Sequence, residues 1–101
     1  MYSRVTLLEI DTLRTSMEAA VARFTDEVQP ELREQEGYEG VLVLTTPEGK
    51  GMVVSFWDSP EDADAAAAFA AGAVERFVTL YSAPPGREYY EVAFADLPIV
   101  A

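Results

Sequence analysis

The chain has 101 residues, half of them hydrophobic and a quarter charged, and its 7 Lys plus Arg against 18 Asp plus Glu give a formal net charge of -11. This is a globular balance of a size that suits one domain over residues 1–101, and its sign repels phosphate backbones and anionic lipid, which excludes nucleic acid and membrane as partners. Cys, His and Asn are absent, which excludes disulfides, thiolate nucleophiles and zinc-thiolate or iron–sulfur sites and removes the commonest metal ligand and general base.

Arg4 to Ile10 alternates as a strand, with Val5, Leu7 and Glu9 on one face and Thr6, Leu8 and Ile10 on the other. Thr15 and Glu18 have capping-box spacing. Met17, Ala20, Val21, Phe24, Val28 and Leu32 then recur at helical intervals, predicting a first helix from about Ser16 to Gln35. Pro30 lies inside that pattern and clashes with the carbonyl of Asp26, a defect of about 3 kcal/mol in a regular helix, so a kink is expected near Asp26 to Pro30. Gly37 and Gly40 bracket Tyr38 and provide the stop.

Val41 to Thr46 and Met52 to Trp57 are both β-rich, and Pro47, Glu48, Gly49, Lys50 and Gly51 between them are turn formers, which predicts a β-hairpin. Ser59 as N-cap, Pro60 at the first helical position and the early acids Glu61 and Asp62 open a second helix. Its alanine-rich body carries Phe69, Val74, Phe77, Val78 and Tyr81, with a weak point at Gly72, and Pro84, Pro85 and Gly86 stop it. Glu88 to Phe94 alternates as a last strand, Tyr89, Glu91 and Ala93 against Tyr90, Val92 and Phe94, before a short tail from Asp96 to Ala101. The longest apolar stretch, Ala65 to Ala71, is far short of the ~20 residues that cross a bilayer. No basic leader precedes the first strand, so a cytoplasmic location is expected.

Strand, helix, strand, strand, helix, strand is the order of an α+β, ferredoxin-like split βαβ fold: a four-stranded antiparallel sheet with two helices on one face. Both faces of its strands carry apolar groups, Val5 and Leu7 against Leu8 and Ile10, Val41 and Val43 against Leu42 and Leu44. The face without helices therefore needs cover, and the expected cover is the same face of a second copy, in a homodimer.

The stretch from Gly37 to Ala66, within it GYEGVLVLTTPEGKGMVVSFWDSPEDADA, resembles the antibiotic biosynthesis monooxygenase family in its Gly, aromatic, two strands, Trp at the end of the third strand, and Ser with acids opening the second helix. The resemblance extends over nearly the whole chain. It implies a dimeric α/β barrel built from ferredoxin-like subunits with facing sheets, and a pocket in each subunit between helices and sheet. It also implies small-molecule chemistry, since members include metal- and flavin-free oxygenases of polycyclic phenols, haem-degrading enzymes with a His ligand, and proteins of no known activity. Of the family's site residues, Trp57 alone is carried over by the motif.

Among the residues themselves, Trp57 can stack on a flat substrate and donate its N–H to a carbonyl or phenolate, or simply cap the core. Ser55 shares its face. Phe69 lies in the alanine-rich helix, which can leave room for a flat ligand. Tyr89 and Tyr90 point to opposite faces, so one of them is expected to be structural. Arg87 can clamp an anionic group or pair with a surface carboxylate. Glu9 and Glu91, if buried, would have raised pKa values and serve as bases; exposure or charge pairing is the plainer reading. Glu61, Asp62 and Asp64 are explained by the helix dipole, so no metal is expected, and no cofactor is expected either. Two functions remain open: a cofactor-independent monooxygenase acting on a flat aromatic or polyketide-like molecule through Trp57, a tyrosine and Glu9 or Glu91, and a non-catalytic dimeric protein that binds a small ligand or serves as a scaffold.

Overall fold

Four strands, β1 (Tyr2–Ile10), β2 (Tyr38–Thr45), β3 (Lys50–Trp57) and β4 (Tyr81–Glu91), form one antiparallel sheet in the order β2-β3-β1-β4. The structure is a computed structural model that describes residues 1–77 and 80–97, with residues 82–85 described by their backbone alone. Val78 and the end of the tail lie outside the described residues. Arg4 is paired with Ser55 on one side and Tyr89 on the other, and Thr6 with Val53 and Arg87. Because side chains alternate along a strand, this register puts Arg4, Thr6 and Leu8 of β1 and Val53, Ser55 and Trp57 of β3 on the helix-covered face.

The first helical segment is built in three parts, α1 (Met17–Arg23), a π-helical turn at Phe24–Val28 and α2 (Gln29–Leu32). Its cap is Ser16, one residue beyond the Thr15 that capping-box spacing selects, and Ser16 Oγ accepts from the Ala19 N–H at 3.1 Å. The irregularity expected ahead of Pro30 takes the form of the π-turn, with the Gln29 N–H donating to the Phe24 carbonyl. The extra residue moves Pro30 into the first turn of α2, where the amide it lacks has no helical partner to lose.

Ser59 caps α3 (Pro60–Ala65) as the sequence predicts, accepting from the Asp62 N–H at 3.1 Å and donating to Asp62 Oδ2 at 3.0 Å. The second helical segment breaks at Ala66, between α3 and α4 (Ala67–Arg76), and Gly72 lies inside α4. Tyr81, assigned to a helix from the sequence, opens β4 instead. That strand runs through Pro84, Pro85 and Gly86, read as breakers, and ends at Glu91, short of Phe94. A double proline is tolerated there because β4 is an edge strand and its ladder shifts register opposite Leu7 to Ile10.

The core gathers Leu32, Trp57, Ala63 and Ala66, with Tyr2, Phe24, Tyr38, Val41 and Phe69 packed around them. The helical segments are tied together by the Arg23 guanidinium, 4.6 Å from the Phe77 ring centroid, and by an Arg76–Glu31 ion pair at 3.3 Å. By register the other face of the sheet carries Val5, Leu7, Leu42, Leu44, Met52, Val54, Phe56 and Tyr90. Leu7, Leu44 and Tyr90 on that face are 36%, 52% and 51% exposed.

Candidate functional site

Between the helices and the sheet lies a narrow cavity of about 80 Å³ that opens to the surface. Its floor is Arg4, Thr6, Val53, Ser55 and Trp57 of the sheet, and its roof is Phe24, Val28, Leu32, Ala66, Phe69, Ala70, Ala73, Val74 and Phe77. A second lobe of about 80 Å³ continues toward α1, where Ile10, Met17 and Val21 join the lining, and Leu8, Phe24, Val53, Phe77 and Tyr81 border both. The alanines of α4 make this room: Ala70 and Ala73 face the sheet with one carbon each, so the helix bridges over the floor without filling the gap. Such an apolar cleft with a few converging polar groups is the usual form of a small-molecule site.

Trp57 is 1% exposed. Its indole N–H donates to Ser55 Oγ at 2.9 Å, and Ser55 Oγ donates onward to the Arg4 carbonyl at 3.3 Å. Tyr38 meets the indole edge-on, with centroids 6.1 Å apart at 87°. The ring of Trp57 lines the cavity, but the N–H that sequence reasoning offered to a ligand is held inside the protein.

Trp57, Ser55 and Phe69 are thus brought together at the cavity, and the other sequence-selected residues are not. Glu9 lies on the opposite face of the sheet, where it borders a shallow depression with Leu7, Leu44 and Lys50. Glu91, opposite Tyr2, is exposed at the end of β4. Neither carboxylate reaches the cavity, so neither is buried there as a base. Arg87 is opposite Thr6 on the exposed edge strand, and Tyr89 stacks on Tyr2 with centroids 6.4 Å apart, beyond the helices. Tyr90 is on the open face, bonded to Glu88.

The group that sequence reasoning missed is Arg4. It is 5% exposed and stands in the cavity floor. Nη1 makes one long bond, 3.4 Å, to Thr6 Oγ1, while Nε and Nη2 are buried without a hydrogen-bond partner. Among the described residues no carboxylate pairs with it, and no carboxylate lines the cavity. Tyr81 borders both lobes, and burial pushes its phenol above the ordinary 10.0, so it stays a protonated donor near neutral pH. The site therefore offers apolar walls, a guanidinium and a phenol. Among the described residues no group of three His, Cys, Asp or Glu is arranged to hold a metal ion.

No family model matches the sequence, and no curated protein matches it. Solved structures do match. A protein of unknown function from Nitrosomonas europaea superposes with a TM-score of 0.75 at 24% identity, over 98% of this chain and 95% of that one. A monooxygenase from Streptomyces coelicolor, solved in complex with nanaomycin D, gives 0.73 at 20% identity, over 97% and 92%. The haem degrader MhuD from Mycobacterium tuberculosis, with two haems bound in its active site, gives 0.72 at 21% identity, over 95% and 99%. Further neighbours carry the antibiotic biosynthesis monooxygenase name. The chain has the antibiotic biosynthesis monooxygenase-like fold. At these identities the likeness establishes the ferredoxin-like architecture read from the sequence, and the chemistry has to be argued from the cavity itself.

Proposed function

We propose that this protein is a monooxygenase-like protein, acting as one domain over residues 1–101 in the cytoplasm, that takes a flat aromatic or polyketide-like molecule into the cavity between helices and sheet. The observation that carries this reading is the apolar cleft floored by Trp57 and roofed by Phe69 and the small residues of α4, with polar groups only at Arg4, Thr6, Ser55 and Tyr81. Proteins of this fold include a monooxygenase solved with nanaomycin D and a haem degrader, which supports a flat ligand. In this proposal Phe69 and the Trp57 ring hold the ligand's faces and Tyr81 donates to it.

Cofactor-free oxygenation proceeds through a stabilised substrate anion, and a positive group in a dry cavity favours such an anion. A haem is a poorer fit. Haem iron takes an axial His, Cys, Met or Tyr, the chain has no His or Cys, and among the described residues the lining offers only Tyr81 and Met17, Met52 being on the other face of the sheet by register. Oxygen uptake with a panel of anthrone-type phenols, followed at an oxygen electrode, tests the enzyme reading. Uptake coupled to conversion supports it. Tight binding of the same compounds without uptake favours the second reading, a ligand-binding protein, for which the absence of a carboxylate from the cavity lining speaks.

The apolar residues left open on the outer face of the sheet support a homodimer through facing sheets, since Leu7, Leu44 and Tyr90 exposed together form a patch that soluble proteins usually cover. Light scattering at micromolar concentration is expected to give twice the 11.1 kDa of one chain. A mass of one chain would refute the dimer.

A further inference from the structure

We propose that Arg4 is the anion receptor of this cavity and that its ligand is a carboxylic acid, bound as the carboxylate with its flat apolar body beneath α4. The inference rests on the cavity being a small-molecule site and specifies which class of molecule enters it.

Arginine keeps its charge inside proteins, and a charge taken out of water is costly unless it is paired. Arg4 is 5% exposed and has one long bond to a threonine hydroxyl. Nothing among the described residues neutralises it. A cation kept in that position without a partner among the described residues is matched to an anion that a ligand brings.

The free nitrogens select the kind of anion. Nε and Nη2, whose N–H bonds lie in parallel along one edge of the guanidinium, are covered by protein atoms and lack hydrogen-bond partners, so a ligand meets them once the covering side chains shift, whereas Nη1 is turned to Thr6. Two parallel donors match the two oxygens of a carboxylate, in the bidentate geometry that distinguishes arginine from lysine. A single phenolate oxygen would leave one of them unmet. The surroundings fix the rest of the molecule: Phe69, Val74 and Phe77 overhead and Val53 and Trp57 in the floor provide apolar contact on both sides. No carboxylate of the lining competes for the guanidinium. The protein's net charge of -11 discourages anions from settling elsewhere on its surface.

The test is calorimetric titration at neutral pH with 2-naphthoate, its methyl ester and 2-naphthol, on the wild-type chain and on Arg4→Met and Arg4→Lys. The wild-type chain is expected to bind the acid at least about ten-fold more tightly than the ester or the naphthol. Arg4→Met is expected to bring acid and ester to within a few-fold while retaining affinity for the ester. Arg4→Lys, which supplies charge without the fork, is expected to keep only part of the preference. Removing an uncompensated buried cation is also expected to raise the melting temperature of Arg4→Met without ligand; a lower one would mark Arg4 as a structural residue and overturn the proposal. Failure of Arg4→Met to fold is the extreme of that lower melting temperature and overturns the proposal in the same way. Equal binding of acid and ester, or naphthol binding as tightly as naphthoate, overturns the carboxylate inference and leaves the cavity standing. If none of the three binds, the small-molecule site falls and this inference falls with it.

Discussion

Trp57→Ala removes the largest fully buried side chain among the described residues. Truncating a buried Trp costs about 3–5 kcal/mol, and the surroundings place this one toward the upper end. Ala63 and Ala66 are its helical neighbours, and side chains that small do not reach into the gap. The hydrogen bond to Ser55 is lost as well, although Ser55 Oγ keeps its contact with the Arg4 carbonyl. For a chain near 100 residues each kcal/mol moves the melting midpoint by about 4–8 °C, so a loss of about 4 kcal/mol lowers it by roughly 16–32 °C. Trp57→Phe keeps an aromatic face, and giving up one hydrogen bond of about 1 kcal/mol together with part of the ring volume is expected to cost about 2 kcal/mol in total. Urea denaturation followed by circular dichroism reads both values. A cost below about 1 kcal/mol for Trp57→Ala would refute the packing described here. Trp57→Phe is also expected to leave ligand affinity nearly intact, because the indole N–H is committed to Ser55; a large loss of affinity at unchanged stability would refute that assignment.

Ser59→Ala deletes both bonds between the cap and Asp62 and is expected to lower stability by about 1 kcal/mol in the same assay. Two glycine substitutions should move in opposite directions. Gly49 has φ +106, and a Cβ there would lie 2.4 Å from the Ile10 carbonyl oxygen, so Gly49→Ala is expected to cost well over 1 kcal/mol. Gly72 meets nothing within 4 Å inside α4, and Gly72→Ala is expected to gain about 0.5–1 kcal/mol. Burial raises the Tyr81 pKa above its ordinary 10.0. The folded state therefore holds the phenol proton more tightly than the unfolded chain. Its contribution to stability is complete below about pH 10 and declines as pH rises through the raised value. Tyr81→Phe should make the alkaline end of the stability curve shallower, and an unchanged slope would refute the shift.

The element order was legible because each signal was local: period-two alternation for the strands, helical spacing for the first helix, and Ser59 with Pro60 for the second. Pro30 correctly announced an irregular ladder, but its form as a π-turn depends on keeping Val28 and Leu32, both buried, on the face that meets the sheet, which is a tertiary requirement. Pro84 and Pro85 were read as breakers by a local rule that an edge strand with a shifted register escapes. Ala66, Ala70 and Ala73 from the alanine-rich segment line the cavity beneath the second helix.

The polar part of the cavity was legible in principle and misread. Alternation from Thr6, Leu8 and Ile10 back along β1 puts Arg4 on the covered face. A charged residue at the start of a strand is ordinarily exposed, so the strand pattern alone gives Arg4 no precedence over Arg87, Glu9 and Glu91. Likewise, Ser55 and Trp57 share a face by simple parity, and the bond between them accounts for the indole N–H without a ligand.

The cavity as a site for a flat carboxylic acid is tested most directly by a crystal structure of the protein grown with saturating 2-naphthoate. The ring is expected beneath Phe69, with the two carboxylate oxygens about 2.7–2.9 Å from Arg4 Nε and Nη2, the spacing of a charge-assisted pair. A cavity that remains empty of the acid, or one that side chains have closed, would contradict it.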